Sequence, residues 1–280
     1  MMTTLTAAHP STPAPRLPPA QGRVAFAALL ARDLTVLRKR PGDFIGRTII
    51  QPLLFVFVLG YVTPKLGQGP SVSAGATQVA TTLLAGMLAV VILFQGIFAV
   101  GMPLIQEFGY TREIEDRALS PLPVALVAVA KVIAGALQGL LAALVVFPLA
   151  FFIPSSRPDI DIHWAVLLTL APLAALMCSS LGLFIGTVFN PRTVTAMAAI
   201  ILTPLMFLGC TLYPWRTLGA IPWVQALSLA NPLTYVSEGF RAAVTPAAHL
   251  SLLVLYPVLA GFTSLLLWQG IRHFQRRIVT

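Results

Sequence analysis

Charge is scarce in this sequence, and its placement is more telling than its scarcity. Only 10% of the 280 residues are charged, where a soluble domain carries about 25%. Six apolar stretches between residues 44 and 271 take up most of the chain, and none of the nine Asp and Glu falls in the middle of one. A carrier driven by protons or sodium ions usually needs an ionisable group at mid-membrane, and none is visible. There is no G-x-x-x-x-G-K-[ST], which excludes nucleotide binding through a P-loop. H-E-x-x-H and G-x-S-x-G are missing too, and His9, His163, His249 and His273 fall in tails or loops. An intramembrane hydrolase or transferase would have little to work with. Cys178 and Cys210 lie in apolar surroundings without metal-ligand spacing and read as packing residues.

What is present is apolar: 57% of residues, with a mean hydropathy of +0.87. A helix needs roughly 20 apolar residues to cross the hydrocarbon, so six crossings and short loops leave no room for a soluble catalytic domain. The expected fold is an all-α membrane protein with six transmembrane helices and an N-terminal interfacial amphipathic helix. Residues 1–21, rich in Pro, Ala, Thr and Ser, read as a disordered tail lacking the apolar stretch of a signal peptide. Over 22–41, Phe26, Leu29, Leu30, Leu34 and Leu37 recur at helical spacing against Arg23, Arg32, Asp33, Arg38, Lys39 and Arg40. This predicts a helix lying in the inner interface. The six-span domain covers 42–277, with spans near 44–62, 79–105, 121–153, 164–189, 194–212 and 250–271. Lys131 is expected to reach back to the interface at the entry of the third. The basic tail from Arg272 to Arg277 follows the sixth.

Lys and Arg fix the orientation. With both termini inside, internal segments hold 12 of them and external segments 4, with Arg47 and Lys131 at boundaries. The net charge of +9 therefore gathers at one membrane face. This favours anionic lipid head groups over nucleic acid as its partner. High Ala, Pro and Arg hint at a GC-rich bacterial genome.

Four places carry candidate chemistry. Segment 106–121 is internal and holds four of the nine acids. Glu113 and Arg117 are spaced as a helical ion pair, so the segment is either a solvated loop or a docking helix for a cytosolic partner. Gln51, Gln95 and Gln138 fall inside spans, where amides need partners. They serve interhelical hydrogen bonds or line a path. Gly135 with Gly139 and Gly182 with Gly186 are small-xxx-small pairs, suited to packing within the subunit or to a dimer face. The stretch 213–249 is apolar but broken by proline, and reads as short helices at the outer interface or dipping into the membrane. Within it Asn231-Pro232 looks like a helix start, and Glu238 and Arg241 are placed to pair. Trp215, Trp223 and Tyr235 suit an aromatic belt. This stretch either anchors a broken helix or forms an outer gate.

In this order the elements resemble the membrane subunit of a type-2 ABC exporter, the ABC-2 permease family. The matching pieces are Arg38-Lys39-Arg40-Pro41, Leu59-Gly60-Tyr61-Val62 and Arg112-Glu113-Ile114-Glu115-Asp116-Arg117 running into Ser120-Pro121-Leu122. Asn231-Pro232-Leu233-Thr234-Tyr235 with Glu238-Gly239-Phe240-Arg241 completes them. The resemblance implies a dimer of such subunits, identical or paralogous, served by a separate ABC ATPase subunit that binds ATP and Mg. This chain itself would hold no cofactor or metal and would not be an enzyme. It implies that Glu107, Arg112, Glu113, Glu115, Asp116 and Arg117 form the ATPase-coupling interface. It implies equally that Asn231, Pro232, Tyr235, Glu238 and Arg241 belong to an outer re-entrant gate. The expected function is export of an amphipathic substrate (drug-like compound, lipid or lipid-linked glycan) across a bacterial cytoplasmic membrane. The rivals are a stand-alone secondary carrier or channel and a membrane-bound enzyme.

Overall fold

The structure is a computed structural model that describes residues 75–108, 123–154, 156–193 and 198–279, with isolated positions between 26 and 66. The tail at 1–21 lies outside the described residues, as does most of the expected amphipathic helix and first span. The positions that are described between 26 and 62 are helical.

The chain enters its first long helix, α1, through Gly75, whose φ of 80° falls in the left-handed region that glycine adopts without strain. Helix α1 spans Ala76–Gly96 and continues through a π-turn at Ile97–Gly101 into Met102–Gln106. Helix α2 is Val124–Phe152 and α3 is Trp164–Val188. A π-turn at Ala198–Leu202 leads into the short α4, Thr203–Phe207. Helices α5 (Pro222–Leu229) and α6 (Pro232–Val244) follow, and α7 is Leu252–Val279. Among the described residues four helices, α1, α2, α3 and α7, are long and apolar enough to cross a membrane. At 25 to 30 residues they run about 38–45 Å, more than the ~30 Å of hydrocarbon.

Helix α2 runs antiparallel to α1, whereas α3 and α7 run parallel to it. The Lys131 ammonium reaches Glu107 at one end of the α1–α2 pair. Tyr256 and Thr169 share a 2.6 Å hydroxyl contact near the starts of α7 and α3, and the Phe184 and His273 rings meet near their ends. The end of the bundle holding loop 154–163 is its upper end, and that holding Asn190 its lower end.

Glycine sets the closeness of the packing. A Cβ on Gly182 would sit 2.1 Å from the Gly96 carbonyl oxygen, and one on Gly186 would sit 2.8 Å from that of Gly101. A Cβ on Gly135 would lie 2.3 Å from Val100 Cγ2. Both small-xxx-small pairs thus face α1 within this chain, where missing side chains let backbones touch.

The π-turns Val58–Val62, Ile97–Gly101 and Ala198–Leu202 each end two residues before a proline: Pro64, Pro103 and Pro204. Proline has no N–H to give to residue i−4, and its ring crowds that carbonyl. A wider turn just before it relieves the crowding. Pro148, Pro172 and Pro257 lie inside α-helices, so proline favours the π-turn without enforcing it.

Two boundaries differ from those read in the sequence. Arg272–Arg277 is no separate tail; it forms the last turns of α7. Where the fifth span was expected, the described residues give ten helical positions and then a turn at Leu208–Cys210. Cys210 takes the turn with φ 51°, a left-handed value uncommon outside glycine.

Candidate functional site

The stretch after that turn folds into a hairpin of two short helices, α5 and α6. Helix α5 leads to Asn231, and α6 returns toward the upper end, where the Val244 and Ala243 carbonyls accept the N–H groups of Asp161 and His163. Asn231 caps α6 as its sequence promises. Its side chain accepts from the Leu233 N–H at 2.9 Å and donates to the Leu205 carbonyl at 2.7 Å, while Pro232 opens the first turn. Neighbours mark the depth. A Cβ on Gly239 would meet the Leu170 side chain, six residues or about 9 Å along α3. The Tyr235 ring lies 6.1 Å from that of Phe262, ten residues or about 15 Å along α7. The hairpin therefore dips among the spans and does not lie on their surface.

Nearly all of α6 is buried, including Glu238 and Arg241 at 0% exposure. The expected pair forms: Arg241 Nη1 donates to Glu238 Oε1 at 2.5 Å. The carboxylate does more than pair. Oε1 also accepts the Trp215 backbone N–H at 2.8 Å, and Oε2 accepts that of Leu250 at 2.9 Å. Arg241 Nη2 donates to the Cys210 carbonyl at 3.2 Å. One ion pair thus fastens α6 to the turn after α4, to the start of 3-10 helix Trp215–Ala220 and to the approach to α7. Hydroxyls assist: Ser237 donates to the Gly209 carbonyl, and Thr234 to those of Ser228 and Leu208. The sequence showed no acid in mid-span, yet this helix carries a buried one about 9 Å below the upper end of α3. Tyr235 is no belt residue either. It is 5% exposed, and its hydroxyl donates to the Leu229 carbonyl. Trp223, 71% exposed, does face outward as a belt residue would.

At the lower end, beyond Gln106, which closes α1, the described residues of segment 106–121 are Glu107 and Phe108. Arg112, Glu113, Glu115, Asp116 and Arg117 lie outside the described residues. Lys131 Nζ donates to both Glu107 carboxylate oxygens at 2.8 Å. The two side chains are each 14% exposed, so Lys131 turns to an acid of this chain at the lower end of the bundle. The Phe108 ring meets Phe274 edge-on at 5.5 Å, and the Arg277 guanidinium lies 5.3 Å from its centroid. Arg277 also donates to the Phe189 carbonyl at 3.4 Å and to Asn190 Oδ1. The segment thus leaves α1 with Glu107 tied to α2 and Phe108 to α7. Lys131, Phe108, Phe274 and Arg277 were not legible as a set. A lone ammonium in an apolar run signals a partner, but no spacing rule names one on another helix.

Among the glutamines, Gln95 is buried on α1 and Gln138 half-buried on α2. Gly139 faces Ile92, and Gly135 faces Val100, which puts both amides at one level of the bundle. Gln51 lies outside the described residues.

The family model for ABC-2 type transporters matches residues 24–245. The chain is similar to the inner membrane transport permease YadH of Escherichia coli (strain K12), with 28% identity over 156 residues, 55% of this chain and 58% of that protein. The figures are the same for YadH of Escherichia coli O157:H7 and of Shigella flexneri. The alignment spans little more than half the length of these curated relatives.

Proposed function

Since the chain belongs to the ABC-2 type transporter family, we propose that it is the transmembrane subunit of an ABC exporter in a bacterial inner membrane. A separate ATPase subunit binds ATP and Mg and docks on segment 106–121. Two permease subunits, identical or paralogous, pair across the membrane with the upper end outside. The cargo is amphipathic: a drug-like compound, a lipid or a lipid-linked glycan. The relatives' description as inner membrane transport permeases supports both the location and the transport role.

The observation that carries the mechanism is the double anchorage of the docking segment. A push on it acts through Glu107 and Lys131 on α2, and through Phe108, Phe274 and Arg277 on α7. Both helices run the full thickness of the bundle, so displacement at the lower end reaches the hairpin α5–α6, which α7 adjoins. The hairpin then serves as the outer gate. The stand-alone carrier reading would call on the buried Glu238 carboxylate. That group is occupied by three donors and is better suited to holding segments together than to cycling a proton.

The test is co-purification and transport. The tagged protein in mild detergent should retain an ATPase with a P-loop, and Glu113→Ala/Glu115→Ala/Arg117→Ala should lose it. Phe108→Ala should retain the ATPase while lowering transport per ATP hydrolysed. An intact complex without any ATPase, or transport that persists without ATP, would reject this reading.

A further inference from the structure

A cavity of about 540 Å³ opens at the upper end of the bundle, between the first turns of α1, loop 154–163, the Trp215–Ala220 helix and residues 246–248. Thr77 and Gln78 from α1 and Asp159 from the loop line it, together with Arg216, Thr217 and the small apolar surface of Pro246–Ala248.

The loop wall is built, not incidental. The Asp159 backbone N–H donates to Thr81 Oγ1 at 2.8 Å, and the Thr81 hydroxyl in turn donates to the Thr77 carbonyl at 2.8 Å. These bonds fix Asp159 on the cavity through its main chain and leave its carboxylate uncommitted. Among the described residues neither that carboxylate nor the Arg216 guanidinium has an ion-pair partner, and both residues are exposed. One cavity therefore offers one anionic and one cationic group among hydroxyl, amide and small apolar surfaces. A purely anionic head group would set its charge against Asp159 and leave that carboxylate unmatched. A neutral sugar would leave both charges unmatched. A head group with a phosphate and an ammonium matches both. The guanidinium fork suits phosphate oxygens, and the carboxylate takes the ammonium.

We propose that this cavity is a binding site for a zwitterionic phosphoethanolamine head group, with Arg216 on the phosphate and Asp159 on the ammonium. The group could arrive on a membrane phospholipid or on a free phosphoethanolamine ester. The proposal stands independently of the transport reading, because it concerns binding alone.

The test is native mass spectrometry of the full-length protein. It is titrated with phosphatidylethanolamine and phosphatidylglycerol of identical acyl chains, then with soluble glycerophosphoethanolamine as competitor. The ethanolamine lipid should be retained about tenfold over the glycerol lipid. Asp159→Asn should abolish that preference, Arg216→Gln should weaken both lipids, and Arg157→Gln, in the same loop but off the cavity, should change neither. Competition by glycerophosphoethanolamine identifies the head group alone as sufficient. Displacement only by the lipid identifies the membrane as the source. Both exchanged side chains are exposed, so an unchanged melting temperature certifies the fold. Equal retention of the two lipids by the unaltered protein, or a preference that survives Asp159→Asn, would overturn the proposal.

Discussion

Replacing Glu238 with Gln keeps the shape of the side chain and removes its charge, in a site where nothing is exposed to solvent. The amide oxygen can still accept from one side, but the amide nitrogen meets a donor, either the Trp215 or the Leu250 N–H. Arg241 is left charged and buried without a counter-charge, keeping the Cys210 carbonyl and, where the amide nitrogen faces Leu250, the neutral amide oxygen as acceptors. Breaking a buried pair in this way costs about 3–5 kcal/mol. At roughly 2–4 °C per kcal/mol for a chain of this size, the apparent melting temperature should fall by about 6–20 °C. Arg241→Met leaves a carboxylate that keeps two backbone donors and should sit near the lower bound. The double variant Glu238→Gln/Arg241→Met has no buried charge. It retains only the mismatched amide, about 1–3 kcal/mol, and should be more stable than Glu238→Gln alone. The assay is size-exclusion chromatography after heating in one detergent at one fixed rate, because membrane proteins rarely refold in such a scan. Additive losses, or a Glu238→Gln protein melting within about 2 °C of the parent, would refute the view that this pair fastens the hairpin.

Gly182→Ala should cost at least about 1–3 kcal/mol, because its Cβ would meet the Gly96 carbonyl oxygen. Gly261→Ala, with nothing within 4 Å of its Cβ, should be neutral or raise stability by up to about 1 kcal/mol; one thermal scan compares them. Cys178 and Cys210 are both 0% exposed, so maleimide should label neither in the folded protein and both after denaturation in SDS. Lys131→Met should destabilise more than Lys131→Met/Glu107→Gln, because the single change removes the ammonium that both oxygens of a mostly buried carboxylate accept from. Equal melting of the two would refute a stabilising role for this ion pair.

Length, apolar periodicity and proline were enough to place four long helices. The expected spans near 79–105, 121–153 and 164–189 match α1, α2 and α3 to within a few residues, and that near 250–271 matches the start of α7, which runs about two turns further. Asn231-Pro232 likewise declared the start of α6, and the spacing of Glu238 and Arg241 declared their pairing, because cap and i,i+3 geometry are properties of one local segment. The family motifs were legible for the same reason, being short runs in a fixed order.

Contacts between segments were decided only by the tertiary structure. The sequence allowed 213–249 to rest on the surface; packing against α1, α3 and α7 drew α6 inside and made its ion pair a buried junction. Sequence left the glycine pairs open between a dimer face and an internal seam, and the approach of α3 to α1 chose the seam. No spacing rule linked Glu107 to Lys131; the antiparallel register of α1 and α2 brings the two together. Local sequence fixes how a helix begins, ends and distributes its apolar face. Which distant carbonyl, ammonium or ring it meets depends on helix register and crossing, and those follow from the whole bundle closing at once.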